Sequence, residues 1–255
     1  MDLGKDNNQL CRKKRVNSMS NYKAICKNIF DLSEKNFQDM WSLYRAHYDG
    51  CTEFQFKADM QDKNEAVLVF LHEILVGFTT LKIYEHEWGG GNVRIVYSGD
   101  TVVDRAHWGQ QRLAFTWIAR MGVIKQERPD LPMYWFLIVK GHRTYRYLPV
   151  FSKSFYPHWA IDRSDLKSLA DDLAQRKFGK NYNPASGIVE YAESKGHLKP
   201  DIASPIEVER SKDAVRFFLE RNPNYIHGHE LVCLCEISEQ NLKPLTSRIF
   251  QKGLL

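Results

Sequence analysis

The chain has 255 residues, 43% of them hydrophobic and 13% aromatic, which is enough apolar side chain for a packed core and excludes wholesale disorder. Its net charge is +5, but Lys5, Arg12, Lys13, Lys14 and Arg15, opposed only by Asp2 and Asp6, put more than half of that surplus into residues 1–20, and the remaining body is too near neutral to read as a nucleic-acid binder. No apolar run reaches membrane-span length, no apolar segment follows Arg12–Arg15 as a secretory signal requires, and five scattered cysteines (Cys11, Cys26, Cys51, Cys233, Cys235) point to a reduced, cytoplasmic protein.

Residues 1–20 read as a loose basic tail. Asp31 and Glu34 have capping-box spacing, with Asp31 as N-cap, and predict a helix carrying Phe37, Met40, Trp41, Tyr44 and Tyr48 on one face and stopping near Gly50. Residues 51–64 are polar and show no clear period. Residues 65–71 and 75–84 read as two antiparallel strands joined tightly through His72, Glu73 and Ile74. Gly89, Gly90 and Gly91 read as a flexible loop before a third strand, which carries Val93, Ile95, Thr101, Val102 and Val103. A short polar turn follows, from Asp104 to Gln110, and then a helix with Leu113, Ala114, Trp117, Ile118 and Met121 at helical spacing. Pro129 and Pro132 punctuate its exit. The unbroken apolar run Met133–Val139 fits a strand buried on both faces.

Beyond it, residues 141–148 start a short helix that Pro149 kinks or restarts, and residues 155–159 are aromatic and extended. Asp162 is placed to cap a helix with Leu166, Leu169, Ala170 and Leu173 on one side and Gly179 at its end. Residues 181–187 and 194–205 are loop-like, residues 212–221 helical, and residues 230–238 a strand. His227, His229, Cys233 and Cys235 are zinc-ligand types. However, the two cysteines share one strand face with Leu231 and lack a second paired knuckle, so they read as small core residues and no metal is expected. No Gly-x-Ser-x-Gly elbow is present.

Strand, glycine turn and helix together make an anion site, because the free N–H groups and positive dipole end of the helix face the turn. The order helix, hairpin, strand, glycine turn, helix, buried strand, helix resembles the GNAT acyltransferase superfamily over roughly residues 22–160. The resemblance implies an α+β fold: a mixed, mostly antiparallel central sheet flanked by helices. It divides the chain into a tail (1–20), a GNAT-like core (21–160) and an α/β C-terminal extension packed on that core (161–255).

It also implies an acyl-CoA cosubstrate whose pyrophosphate is held by backbone N–H groups of the turn. Val103-Asp104-Arg105 stands at the family's Val-x-Pro step, and Trp108-Gly109-Gln110-Gln111 at its glycine-rich core. The implied donor-binding residues are Val102, Val103, His107, Trp108, Gly109, Gln110, Gln111 and Arg112. Gly109 matches one glycine, Trp108 replaces a basic or amide residue, and Gln111 replaces a second glycine. Glycines let the backbone approach phosphate without a Cβ in the way, so a cradle with one glycine is shifted or specialised, for example for an acyl group on a carrier protein's phosphopantetheine.

Acyl transfer to an amine needs a deprotonated amine, a polarised thioester carbonyl and a proton for the leaving thiolate. Asp100 is the carboxylate best placed on the central strand, and His107 is the only imidazole in the turn. Family members often use a tyrosine as acid on the helix after the buried strand. Phe151 stands at that position here, which leaves Tyr145 and Tyr147 just upstream as substitutes. Arg143 and Arg146 flank the same segment and are candidates for phosphate or an acidic substrate. The implied function is acyl transfer from acyl-CoA or a carrier thioester to an amine. The alternative is a GNAT-fold ligand-binding or interaction protein without catalysis. Acyl length, acceptor and oligomeric state are open at this stage.

Overall fold

The computed structural model describes residues 21–192 and 194–253; the basic run of residues 1–20 lies outside the described residues. β1 (Tyr22–Asn28) leads through a single 3-10 turn, Ile29–Asp31, to α1 (Glu34–His47). Asp31 therefore does not cap this helix. Ser33 does, its Oγ accepting from the Asn36 N–H at 3.2 Å. The polar residues after Gly50 fold as α2 (Glu53–Gln61), started by a capping box in which Thr52 and Gln55 satisfy each other's backbone N–H groups. β2 (Glu65–Leu71) and β3 (Ile74–Trp88) are joined by His72 and Glu73, both at positive φ (47° and 67°). Gly89 and Gly90 (φ 62° and 82°) make a second two-residue hairpin turn into β4 (Gly91–Val103). The glycine triplet is thus a tight turn between paired strands and not a flexible loop.

After the turn come α3 (Arg112–Glu127), β5 (Met133–Val139), and two short helices, α4 (His142–Tyr145) and α5 (Tyr147–Phe151). α6 (Ser164–Phe178) begins where Asp162 accepts from the Ser164 N–H at 2.9 Å and ends at Gly179. The two-residue strands β6 (Tyr182–Asn183) and β7 (Ile188–Val189), the short helices α7 (Pro200–Ala203) and α8 (Glu207–Arg210), and α9 (Asp213–Arg221) precede β8 (Glu230–Glu236) and α10 (Pro244–Gly253). Among the described residues no helix is long and apolar enough to cross a membrane.

The main sheet runs β1-β2-β3-β4-β5-β8-β7-β6, antiparallel throughout except for the parallel pair β4–β5. β8 pairs along β5, from Leu231 opposite Val139 to Glu236 opposite Tyr134, so residues beyond 160 complete the central sheet itself. Both faces of the sheet are covered. Met133, Trp135, Leu137, Leu231, Cys233 and Cys235 join one core with α3 and α10, while Phe136, Val232 and Leu234 pack on α6. α1 and α2 cover Ala66, Leu68, Phe78 and Val102 on the same side as α6. This two-sided burial explains why residues 133–139 carry no polar alternation, and it places both β8 cysteines in the core.

Two features of β4 set up the site. Its pairing with β5 runs from Arg94–Met133 to Ser98–Leu137 and stops there. Past Ser98, β4 stays with β3, and the end of β5 stays with β8. Just where they part, Gly99 and Asp100 together oppose Thr80 in a bulge. Only glycine fits at 99, because a Cβ there would stand 2.3 Å from Thr80 Oγ1 and 2.5 Å from Lys63 Cε.

Candidate active site

The splay between β4 and β5 opens a space on each side. A cleft of about 660 Å³ lies between the end of β4, the turn into α3, and α4–α5, with Leu245, Thr246 and Ile249 of α10 at its wall. A cavity of about 300 Å³ lies on the α1–α2 side, bounded by Tyr44, Tyr48, Tyr97, Asp100, Lys140 and Glu230. Tyr48, Thr101 and Thr144 border both. Thr101 also borders a third space of only about 30 Å³, lined by Trp117, Trp135 and Phe151. The three rings pack with centroids 4.6–6.0 Å apart, and Trp135 Nε1 donates to Ser98 Oγ at 2.8 Å.

Of the residues expected around the turn, Val102, Val103, Trp108, Gly109, Gln110 and Gln111 line the large cleft. His107 and Arg112 do not. The His107 Nδ1 is 2.9 Å from the Tyr22 hydroxyl, and Arg112 Nε donates to the Tyr22 carbonyl at 3.1 Å, so both tie the turn to β1. Gly109, at φ +93°, supplies the reversal that aims the chain into α3. The Gln110 Oε1 accepts from the Arg112 and Leu113 N–H groups at 2.7 and 3.3 Å. An amide oxygen therefore sits on the first N–H groups of α3, where an anion would bind.

Trp108 donates Nε1 to the Val103 carbonyl and carries the Arg143 guanidinium 4.4 Å above its ring. That contact adds a cation from α4 to a turn whose own Arg105 stands 5.7 Å from the same ring and pairs with Asp201 at 3.0 Å. Arg143 and Arg146 both line the cleft and both reach Glu209, at 3.2 and 3.0 Å. His142 is 3.4 Å from the same carboxylate. Burial, reinforced by Arg143, pushes His142 down to about 4, so it is a neutral member of the cluster. Glu209 escaped sequence reasoning because only the fold brings residues 207–210 over α4.

The two tyrosines separate. Tyr145 is fully buried among Phe155, Phe217 and Phe218, its hydroxyl donates to the Pro157 carbonyl at 2.8 Å, and it lines none of the three spaces, so the structure places it in the core. Tyr147 borders the large cleft and the small space beneath it. Burial raises its hydroxyl above the ordinary tyrosine value, which keeps it protonated.

Asp100 lines the smaller cavity, and its carboxylate makes no hydrogen bond or ion pair among the described residues. Burial and the nearby Asp59 charge push its carboxyl up to about 7, against the pull of Lys140 and Lys63. Lys140 instead pairs with Glu230 at 3.1 Å. Neither was foreseen, since β8 meets the end of β5 only in the folded sheet.

The fold is GNAT-like. Its order of elements and its mixed, mostly antiparallel sheet flanked by helices are those the resemblance implies. No protein-family model matches the chain, and no curated protein matches its sequence. Among solved structures it is similar to a probable N-acyltransferase from Enterococcus faecalis V583 (10% identity, TM-score 0.39, 52% of this chain and 33% of that one). It is also similar to a GCN5-related N-acetyltransferase from Kribbella flavida (14% identity, TM-score 0.37, 50% and 33%). A third is an acyl-CoA N-acyltransferase from Pseudomonas aeruginosa (16% identity, TM-score 0.37, 51% and 88%). The aligned part spans about a third of the length of the first two.

Proposed function

We propose that this chain is an N-acyltransferase that moves an acyl group from acyl-CoA, or from an acyl thioester on a carrier protein's phosphopantetheine, to an amine. The observation that carries the reading is the meeting of two separate spaces at Thr101, where β4 and β5 part. A long donor needs the larger cleft, an acceptor needs the other side, and the reacting atoms need a point common to both. Past Ser98, β4 has no strand partner on its β5 side. That edge suits the amides of a pantetheine arm, which would add to it as a strand does. The turn around Gly109, with Arg143 and Arg146 opposite, suits the donor's phosphates.

The amine enters as R–NH3+ and gives a proton to Asp100. Its nitrogen then attacks the thioester carbonyl, forming the C–N bond as the C–S bond breaks. The second amine proton ends on the leaving thiolate, with Tyr147 as the acid that relays it. A carboxyl near pH 7 is matched to the first step, because it is ionised often enough to act yet basic enough to take the proton.

The test is calorimetric titration of the full chain with acetyl-CoA, a long-chain acyl-CoA and free CoA, followed by an amine screen. The titrations are repeated on Gly109→Pro, whose site is exposed and has no atom within 4 Å of the glycine's missing Cβ. Thioester binding that disappears in the folded variant supports the donor site; full binding by the variant overturns it. If no CoA species binds, an acylated carrier protein is the remaining donor. A second reading, a GNAT-fold binding protein without catalysis, draws support from Gln110, which already satisfies the N–H groups a phosphate would use. It predicts thioester binding with no transfer to any amine.

A further inference from the structure

We infer that the acceptor is a small zwitterion, a primary amine that also carries one anionic group, bound with its amine at Asp100 and its anion toward Lys177 and Lys195. This rests on the acyltransfer reading above and names the acceptor class for it. The argument is one of charge and its placement. Of the three carboxylates that line the acceptor cavity, the exposed Asp59 is matched by the fully buried Lys63 at 2.6 Å, and the more enclosed Glu230 by Lys140 at 3.1 Å. Asp100 is left over, so the inner end has one uncompensated negative charge when that carboxyl is ionised.

The outer end is the reverse. Asp62 is shared between Lys82 and Lys177, the latter at 3.0 Å. Lys195, which also lines the cavity, is exposed and has no carboxylate partner among the described residues. Both lining lysines are held over aromatic rings, Lys177 at 4.4 Å from Tyr97 and Lys195 at 4.8 Å from Tyr191. The cavity is therefore polarised, negative within and positive at the mouth. A simple amine satisfies only the inner end. A polyamine puts its second cation against the lysines, which is a repulsive contact that discriminates against it. At about 300 Å³ the space stands at the small end of ligand pockets and suits something of amino-acid size.

The experiment is a matched panel with the full chain. Phenylalanine, alanine and aspartate are each compared with the decarboxylated amine and the methyl ester, phosphoethanolamine with ethanolamine, and spermidine is added as the polycation. Each compound is titrated directly by calorimetry and then assayed for acylation. The expected result is that zwitterions bind and react at least about tenfold better in kcat/KM than their amine or ester counterparts. Lys195→Glu, on the exposed rim, should erase that preference while leaving the thioester Kd unchanged. Lys177→Gln should weaken it where Lys195→Glu is poorly behaved. Preference for phosphoethanolamine over the amino acids identifies the anion as a phosphate, and the opposite identifies a carboxylate. Zwitterions that bind but are never acylated support this inference and overturn the acyltransfer reading. Simple amines or spermidine performing as well as the zwitterions, or no zwitterion binding at all, overturn this inference whatever the donor results.

Discussion

Asp100 shows how a single residue is set by its neighbours. The bulge at Gly99 and Asp100 takes the carboxylate out of the regular β4 ladder, and burial then holds its proton to about pH 7. The rate of acyl transfer should therefore rise with pH through about 7, as the base ionises. Asp100→Asn should lose that limb and about 10²–10⁴ in kcat/KM with the thioester Kd unchanged; a variant that keeps the wild-type pH profile removes Asp100 from the mechanism.

The same residue should cost stability. Its folded-state value lies above the ordinary 3.8, so between about pH 4 and 7 the folded chain holds a proton that the unfolded chain has released. The cost is therefore absent below about pH 4, grows as pH rises, and is fully present above about 7. Asp100→Asn should accordingly melt higher than wild type at pH 8, and the difference should shrink toward pH 4. Asp100 was legible from its place on a strand that leads to a glycine turn. The two-tyrosine alternative was legible only as a pair: residues two apart on helical backbone lie roughly 200° apart, so one of Tyr145 and Tyr147 had to face away from any shared cleft. Sequence spacing does not say which, and the buried hydroxyl bond to Pro157 decides it.

At the scale of elements, the contact between α3 and α10 is where shape overrides propensity. Glycine in a helix interior costs roughly 1 kcal/mol against alanine, yet Gly122 has no room for a methyl group. A Cβ there would lie 2.1 Å from the Phe250 carbonyl oxygen and 2.9 Å from Gly253. Gly122→Ala should lower stability by about 1–3 kcal/mol, read as a fall in Tm. It should also weaken donor binding, because α10 walls the large cleft with Leu245, Thr246 and Ile249. A variant of unchanged or raised Tm would mean that the two helices do not touch here.

A second contact, among α3, β5 and α5, bears on the acyl group. The space bordered by Trp117, Trp135 and Phe151 is only about 30 Å³, small against the cleft beside it, which favours a short acyl group. Acetyl-CoA should be used in preference to octanoyl-CoA by at least about tenfold, and Trp117→Leu should narrow that gap. Equal use of both chain lengths by the wild type would refute the aromatic floor. Strand positions here were readable as short apolar runs at 65–71, 133–139 and 230–238, and α3 from its helical spacing. The capped helix at 53–61 was not, because its buried residues, Phe56 and Met60, are too few to set a period against Glu53, Gln55, Lys57 and Asp59.

For the whole molecule the informative question is what residues beyond 160 do. The order of elements through residue 160 made a GNAT-like sheet legible. Nothing local shows that residues 230–236 belong beside residues 133–139, because strand partners far apart in sequence leave no periodic trace. In the folded chain β8 covers the outer edge of β5, and Val232 and Leu234 fill the face on which α6 packs. Glu230, Lys177 and Tyr191 wall the smaller cavity, and Glu209 pairs with the two arginines of the larger cleft.

If that packing sets the cooperative unit, a fragment of residues 21–160 would present β5 as a long apolar edge with its whole ladder of N–H and C=O groups unpaired, a template for aggregation. The fragment should be insoluble or bind hydrophobic dyes. Co-expression with residues 161–253 should restore a soluble complex that retains thioester binding. A soluble fragment with a cooperative melting transition would instead establish residues 21–160 as a domain in its own right, with the remainder an addition to it.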